Sequence, residues 1–290
     1  LDTAPEVVDS PEIVQKYGDI LHPRRENWEP IRGEVTFDHV SFSYKEGEPV
    51  LQDFTLDVRA GENIALVGET GAGKSTIVNL VCRFYEPTAG RILIDGVDYR
   101  QRSQLWLQSN LGYVLQSPHL FSGTIADNIR FGRPDATDEE VRAAAALVHA
   151  DAFIRRQDKG YDAEVGEGGA RLSTGQKQLI SFARVMLADP RIFVLDEATS
   201  SIDTETEQLI QQAITHVLHG RTSFIVAHRL STIRHADRIL VIRGGRVVEA
   251  GTHEALMAAR GYYYDLYTHQ FREEAMQGAL QRAAREDAAD

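Results

Sequence analysis

The stretch that most constrains this chain is residues 62–78, ENIALVGETGAGKSTIV. Ile64–Val67 is a short apolar run of the kind that forms a buried strand. Gly68, Gly71 and Gly73 then let the backbone turn tightly with its N–H groups pointing inward. Lys74, Ser75 and Thr76 open a helix, with Ile77, Val78, Leu80, Val81 and Phe84 at helical spacing on its expected buried side. The pattern G-x-x-x-x-G-K-[ST] is complete at Gly68, Gly73, Lys74 and Ser75. Its chemistry follows from its parts. Unpaired N–H groups and the positive end of a helix dipole suit the several negative charges of a polyphosphate. The loop of Gly68, Glu69, Thr70, Gly71, Ala72 and Gly73, running into Thr76, would wrap the phosphates. Lys74 adds a full charge near the β- and γ-phosphates, and the Ser75 hydroxyl suits Mg²⁺. Nucleotide binding is the reading. A glycine turn with a stray lysine does not explain the strand before it and the helix after it.

A second constellation lies far downstream. Ile192–Leu195 is an apolar strand that ends in Asp196 and Glu197. Acids at the carboxyl edge of a sheet are where a phosphate-loop protein holds its metal. Asp196 is therefore read as a Mg²⁺ residue. Glu197, one residue on, is read as the base that takes a proton from attacking water.

The remaining chain reads as mixed α and β. Residues 1–32 carry Pro5, Pro11, Pro23 and Pro30 and read as a leader with one short helix near Pro11–Tyr17. Strands are expected at Val35–Tyr44, Phe54–Val58, Arg91–Asp95 and Gly112–Leu115. Residues 117–190 change character, with helices at Asp138–His149 and Gln176–Leu187, which suggests a helical insertion. Strand signals return at Ser223–Ala227 and Arg238–Ile242, and Gly244-Gly245 turns a hairpin into Arg246–Glu249. From His253 the tail is helical and ends in the charged, alanine-rich QRAAREDAAD.

Composition narrows the class. The 290 residues carry a net charge of −12, which disfavours broad nucleic-acid binding. Cys82 is the only cysteine, so there is no disulfide framework, and it reads as a small buried hydrophobe. No run approaches the ~18 apolar residues of a membrane span.

Leu172-Ser173-Thr174-Gly175-Gln176 opens a helix about twenty residues before the Asp196 strand. It resembles the LSGGQ signature of ATP-binding-cassette (ABC) ATPases, with Thr174 where that signature usually has glycine. The family's other marks follow in order. Tyr44 matches the aromatic that stacks on adenine. Gln116, in GYVLQSPHLF, matches the glutamine that touches Mg²⁺ and contacts the transport domain. Ser200–Asp203 matches the D-loop, which makes Asp203 a nucleotide-site residue. His228, in FIVAHRLST, matches the switch histidine at the γ-phosphate. LFSGTIADNIRFG (120–132) and VGEGGARLSTGQ (165–176) are similar to exporter cassettes in particular.

The resemblance covers roughly residues 33–270 and implies an α/β fold. It would have a P-loop NTPase (RecA-like) core, an antiparallel β-subdomain and a helical insertion over about 117–190. It also implies two cassettes facing head to tail with two ATP and Mg²⁺ between them. The P-loop of one and Ser173, Gly175 and Gln176 of the other would enclose each ATP. The catalytic set is Lys74, Gln116, Glu197 and His228, and the metal set Ser75, Gln116 and Asp196. Partners are a second cassette and a transmembrane domain at the cytoplasmic face of a membrane, with no nucleic acid. Residues 1–32 would join that domain, and 271–290 would be a helical tail. Two readings compete with this one. A DNA-associated cassette ATPase would want a coiled-coil or zinc insertion and a basic face. A regulatory half of a heterodimeric exporter would bind ATP without hydrolysing it.

Overall fold

A computed structural model describes residues 7–115, 118–196, 204–227, 230–234 and 236–269. The chain opens on α1 (Pro11–Tyr17). Next come β1 (Val35–Ser43), β2 (Pro49–Val58), β3 (Asn63–Val67), α2 (Lys74–Val81), β4 (Ala89–Ile94), β5 (Val97–Asp98), α3 (Gln104–Ser109) and β6 (Leu111–Val114). A helical stretch follows, with α4 (Ile125–Arg130), α5 (Asp138–Leu147), α6 (Asp151–Ile154) and α7 (Thr174–Ala188). The chain continues through β7 (Ile192–Asp196), α8 (Thr204–Leu218), β8 (Thr222–Val226), α9 (Leu230–Arg234), β9 (Arg238–Arg243), β10 (Arg246–Gly251) and α10 (His253–Ala259). Residues 262–269 are again helical. None of the described helices is long and apolar enough to cross a membrane.

The strands form two sheets. One is antiparallel, in the order β2-β1-β4-β5. The other has the order β10-β9-β3-β8-β7-β6, parallel except for the antiparallel edge strand β10. β3 shows why its sequence is an unbroken apolar run. Ile64 and Leu66 join a core shared with the antiparallel sheet, α2 and α3, while Ala65 and Val67 join the core under α7 and α8. A strand covered on both faces needs apolar residues at every position.

Register then aligns the functional ends. Leu66 pairs with Val226, and Val226 with Asp196. The carboxyl ends of β3, β8 and β7 therefore lie level, and the loop after β3 shares its edge with Asp196.

Two expectations need adjusting. Phe84 does not lie on the buried side of α2; it is 44% exposed. The helix stops at Val81, Cys82 caps it, and Arg83 takes a left-handed φ of 54°. That turn sends Phe84 outward, its ring edge-on to Tyr113. The second strand begins at Pro49, earlier than Phe54. Cys82 is buried, and burial pushes its thiol up to about 12, which suits a hydrophobe rather than a nucleophile.

The leader is tied to the body. Tyr17 and Ile31 are buried. Asp9 accepts from the buried Arg83 guanidinium at 3.0 Å, and Trp106 donates its ring N–H to Glu29 O at 2.8 Å.

Candidate functional site

The site starts from the helix that β3 launches. Gly73 caps α2 with φ 108°, and it offers no hydroxyl or carboxylate to the helix. The backbone N–H groups of Gly73, Lys74, Ser75 and Thr76 have no partner among the described residues. A helix start with free N–H groups is an anion site. Gly68, at φ 154°, comes so close to β9 that a Cβ there would stand 2.2 Å from Ile242 O. Gly245 N donates to Ala72 O at 3.0 Å, so the β9–β10 turn holds the loop from the other side.

Lys74 is 7% exposed and folds back over the loop. Its Nζ donates to Gly68 O at 2.7 Å and Glu69 O at 2.9 Å. Two of its three ammonium donors thus fix the loop's curvature, and the third has no acceptor among the described residues. Burial pulls the ammonium below the ordinary lysine range, and the negative charge of Asp196 opposes that pull. Asp196 thus acts on Lys74, as the level carboxyl ends of β3, β8 and β7 require.

Tyr44 stands beside the same helix start. Its hydroxyl lies 3.2 Å from Thr76 Oγ1 and accepts from Asn79 Nδ2 at 3.2 Å. Phe42 and Tyr85 meet its ring edge-on, at centroid distances of 4.8 and 5.0 Å. An open cleft of about 240 Å³ is lined by Tyr44, Val50, Gly71, Gly73, Lys74, Ser75 and Thr76. Its residues fit a nucleotide: a half-exposed ring, a row of free N–H groups and a cation. For Mg²⁺ the Ser75 hydroxyl and Asp196 carboxylate would supply hard oxygen donors of the kind it takes. Gln116, Glu197, Asp203 and His228 fall outside the described residues.

The signature turn is built differently. Ser173 caps α7, its Oγ accepting from Gln176 N at 3.2 Å, while Gln176 Oε1 accepts from Ser173 N at 3.0 Å. Gly175 is buried in the first turn. No hydrogen bond or salt bridge joins residues 171–176 to 68–76 among the described residues.

Sequence reasoning missed one contact of the loop. Tyr262 donates its hydroxyl to the Glu69 carboxylate at 2.8 Å. The two are 193 positions apart, and no motif joins them.

Known proteins resemble the chain in sequence and in fold. Residues 51–200 match the family model described as ABC transporter. The chain is 51% identical over 244 residues to the "Uncharacterized ABC transporter ATP-binding protein YfiC" of Bacillus subtilis (strain 168), covering 84% of this chain and 40% of that protein. It is 50% identical over 254 residues to the "Fatty acid ABC transporter ATP-binding/permease protein" of Mycobacterium bovis, covering 86% and 40%. The chain thus spans about 40% of the length of these relatives. Among solved structures it superposes on a bacterial Atm1-family ABC exporter with ATP bound. The TM-score is 0.82 at 42% identity, covering 93% of this chain and 45% of the other.

Proposed function

This chain belongs to the ABC transporter family, as an ATP-binding and ATP-hydrolysing cassette, and we propose that it closes head to tail on a second cassette to drive an exporter. In this reading residues 33–270 are the cassette and 1–32 lead from a transmembrane domain; the helical tail expected over 271–290 lies outside the described residues. The work is done at the cytoplasmic face of a membrane.

The observation that carries the reading is the helix start at Gly73–Thr76, with free N–H groups, Lys74 recurved above it and Asp196 at the same sheet edge. Phosphates lie against the N–H groups and take the third Lys74 donor. The Tyr44 ring covers the base. Ser75, Asp196 and Gln116 would hold Mg²⁺, which when bound neutralises charge between the β- and γ-phosphates. Glu197 accepts a proton from the attacking water, and His228 and Asp203 flank the γ-phosphate. A partner's Ser173 turn closes the other side. Opening and closing of the pair moves the transmembrane helices, which choose the substrate.

Mixing two damaged chains tests the shared site. Ser173→Arg puts a bulky cation at both signatures of its homodimer, and Glu197→Gln removes the base from both sites of its own. In the mixed dimer one site combines the intact P-loop and Glu197 of the first chain with the intact signature of the second. Phosphate release should appear only on mixing and rise more steeply than linearly with protein concentration. Thr174→Gly in every chain controls for a weak signature. A mixture that stays inactive although mixed dimers form would overturn the shared-site reading.

A further inference from the structure

Glu69 poses an electrostatic problem. It places a carboxylate inside a loop whose free N–H groups and lysine are arranged for a polyanion. At close range two like charges repel, and the repulsion is screened only by salt and solvent. The structure deals with that carboxylate from the far end of the chain. Tyr262 begins the helical stretch 262–269, and its hydroxyl donates to Glu69 Oε1 at 2.8 Å. The residue is held at its ring and at its backbone. The Arg243 guanidinium lies 4.9 Å from the ring centroid. The Glu249 carboxylate accepts from Tyr262 N at 2.5 Å and Tyr263 N at 3.0 Å, anchoring the start of the helical stretch to β10. Gly261 allows this approach, since a Cβ there would stand 2.3 Å from Glu249 Oε1. The backbone carbonyl of the same Glu69 accepts from Lys74 Nζ at 2.9 Å. One residue therefore carries both a contact that shapes the loop and a charge that opposes the loop's ligand.

We propose that Tyr262 is a positioning residue for nucleotide binding, holding the Glu69 carboxylate away from the path of the phosphates. The inference rests on the reading that residues 68–76 bind the phosphates of ATP. It makes the affinity of the loop depend on the docking of a segment nearly two hundred residues downstream. Without the phenol, the carboxylate is free to swing over the loop and repel the phosphates. With glutamine at position 69 there is no charge to restrain, and the phenol loses its purpose.

The test uses the full 290-residue chain and a fluorescent ATP analogue. Tyr262→Phe keeps the ring and its packing and removes only the hydroxyl. It should weaken binding roughly two- to fivefold, the range of an exposed charge interaction. The loss should grow as ionic strength falls, and KM should rise while kcat stays near that of the parent. In a Glu69→Gln background, Tyr262→Phe should shift the affinity by less than about 1.5-fold, because the repelled charge is gone. Equal losses in the parent and in the Glu69→Gln background would mean that Tyr262 acts only through packing and would overturn the proposal. An unchanged affinity for Tyr262→Phe at low salt would do the same. Lys74→Ala separates the two levels of inference. If it weakens binding strongly while Tyr262→Phe has no effect, only the positioning role fails. If Lys74→Ala also leaves binding unchanged, the phosphate-site reading fails with it.

Discussion

The proposed site uses two helix starts, and they are capped in opposite ways. α2 begins on Gly73, which offers its helix nothing, so the first N–H groups stay unpaired. α7 begins on Ser173, whose hydroxyl and Gln176 amide close a reciprocal box over their own backbone. An uncapped start needs an anion from outside. A boxed start is already satisfied at two of its groups and holds its shape alone. The difference teaches that the two halves of the proposed site have different jobs. In the proposed function the α2 start would bind ATP on its own, whereas the α7 turn would be a preformed surface for a nucleotide carried by another chain.

The largest effect comes from the residue that belongs to neither start. Glu197→Gln should slow hydrolysis by ~10²–10⁴-fold, the usual range for a lost acid/base group, and leave ATP binding in place. The trapped nucleotide should then hold a dimer that light scattering detects. Near-normal turnover would move the base role elsewhere, with His228 the first residue to test.

Lys74→Ala strikes the α2 start itself. It removes the cation and the two bonds that curve the loop, and should cost ~10- to 100-fold in ATP affinity, as expected for hydrogen bonds to a charged group. The pH dependence has a definite sign. The Lys74 ammonium is held below the ordinary lysine range by burial. The affinity of the parent chain should therefore fall as alkaline pH passes through that lowered value, and titration of ATP binding should show the fall. In Lys74→Ala the same decline should be absent.

A paired substitution separates the two starts most directly. Gly73→Ala forces a Cβ onto a left-handed φ of 108°, where it also meets Leu51 Cδ2 at 3.2 Å. Ser173→Ala deletes the hydroxyl half of the box. Both should lower folding stability by ~1–2 kcal/mol, the first from backbone strain and the second from a lost cap. Their effects on ATP should diverge. Gly73→Ala should weaken binding in dilute single chains, and Ser173→Ala should show its loss only in turnover at concentrations where dimers form. If both variants weaken binding equally in single chains, the contrast between the two starts is wrong.

The sequence carried the α2 side of this comparison more fully than its surroundings. Gly68, Gly73, Lys74 and Ser75 announce their loop because close backbone approach, a cation and a hydroxyl are needed there at fixed spacing. The apolar run 64–67 is legible as a strand because it is covered on both faces. Phe84 is misplaced by helical spacing because spacing does not say where a helix stops; the left-handed Arg83 decides that. α8 is absent from the expected helices although Ile210, Ala213, Ile214, Val217 and Leu218 have helical spacing and are buried, so the signal was there to find. The docking of the leader was not legible. Asp9 meets Arg83 across 74 positions, and a buried guanidinium takes its partners from wherever the fold brings a carboxylate. Tyr262 and Glu69 belong to the same class of long-range polar contact.

The smallest effect in this comparison concerns Tyr44, which in the proposed function ties the base to the α2 start and has no counterpart at α7. Its side chain has two separable parts. The hydroxyl reaches Thr76 Oγ1 and Asn79 Nδ2, each at 3.2 Å. The ring is steadied edge-on by Phe42 and Tyr85 and remains 47% exposed. If the exposed ring stacks on adenine, Tyr44→Ala should weaken binding by about 1 kcal/mol, in the range of aromatic pairs. Tyr44→Phe should keep that contact and lose only two long hydrogen bonds that water can replace, and its affinity should stay within about twofold of the parent. ATP and GTP should suffer alike in Tyr44→Ala, because stacking reads the face of a base and not its edges. Equilibrium binding with both nucleotides decides the matter. A loss in Tyr44→Phe as large as in Tyr44→Ala would place the energy in the hydroxyl. Tyr44 would then be a brace for Thr76 at the helix start, and the ring's exposure would be incidental to binding.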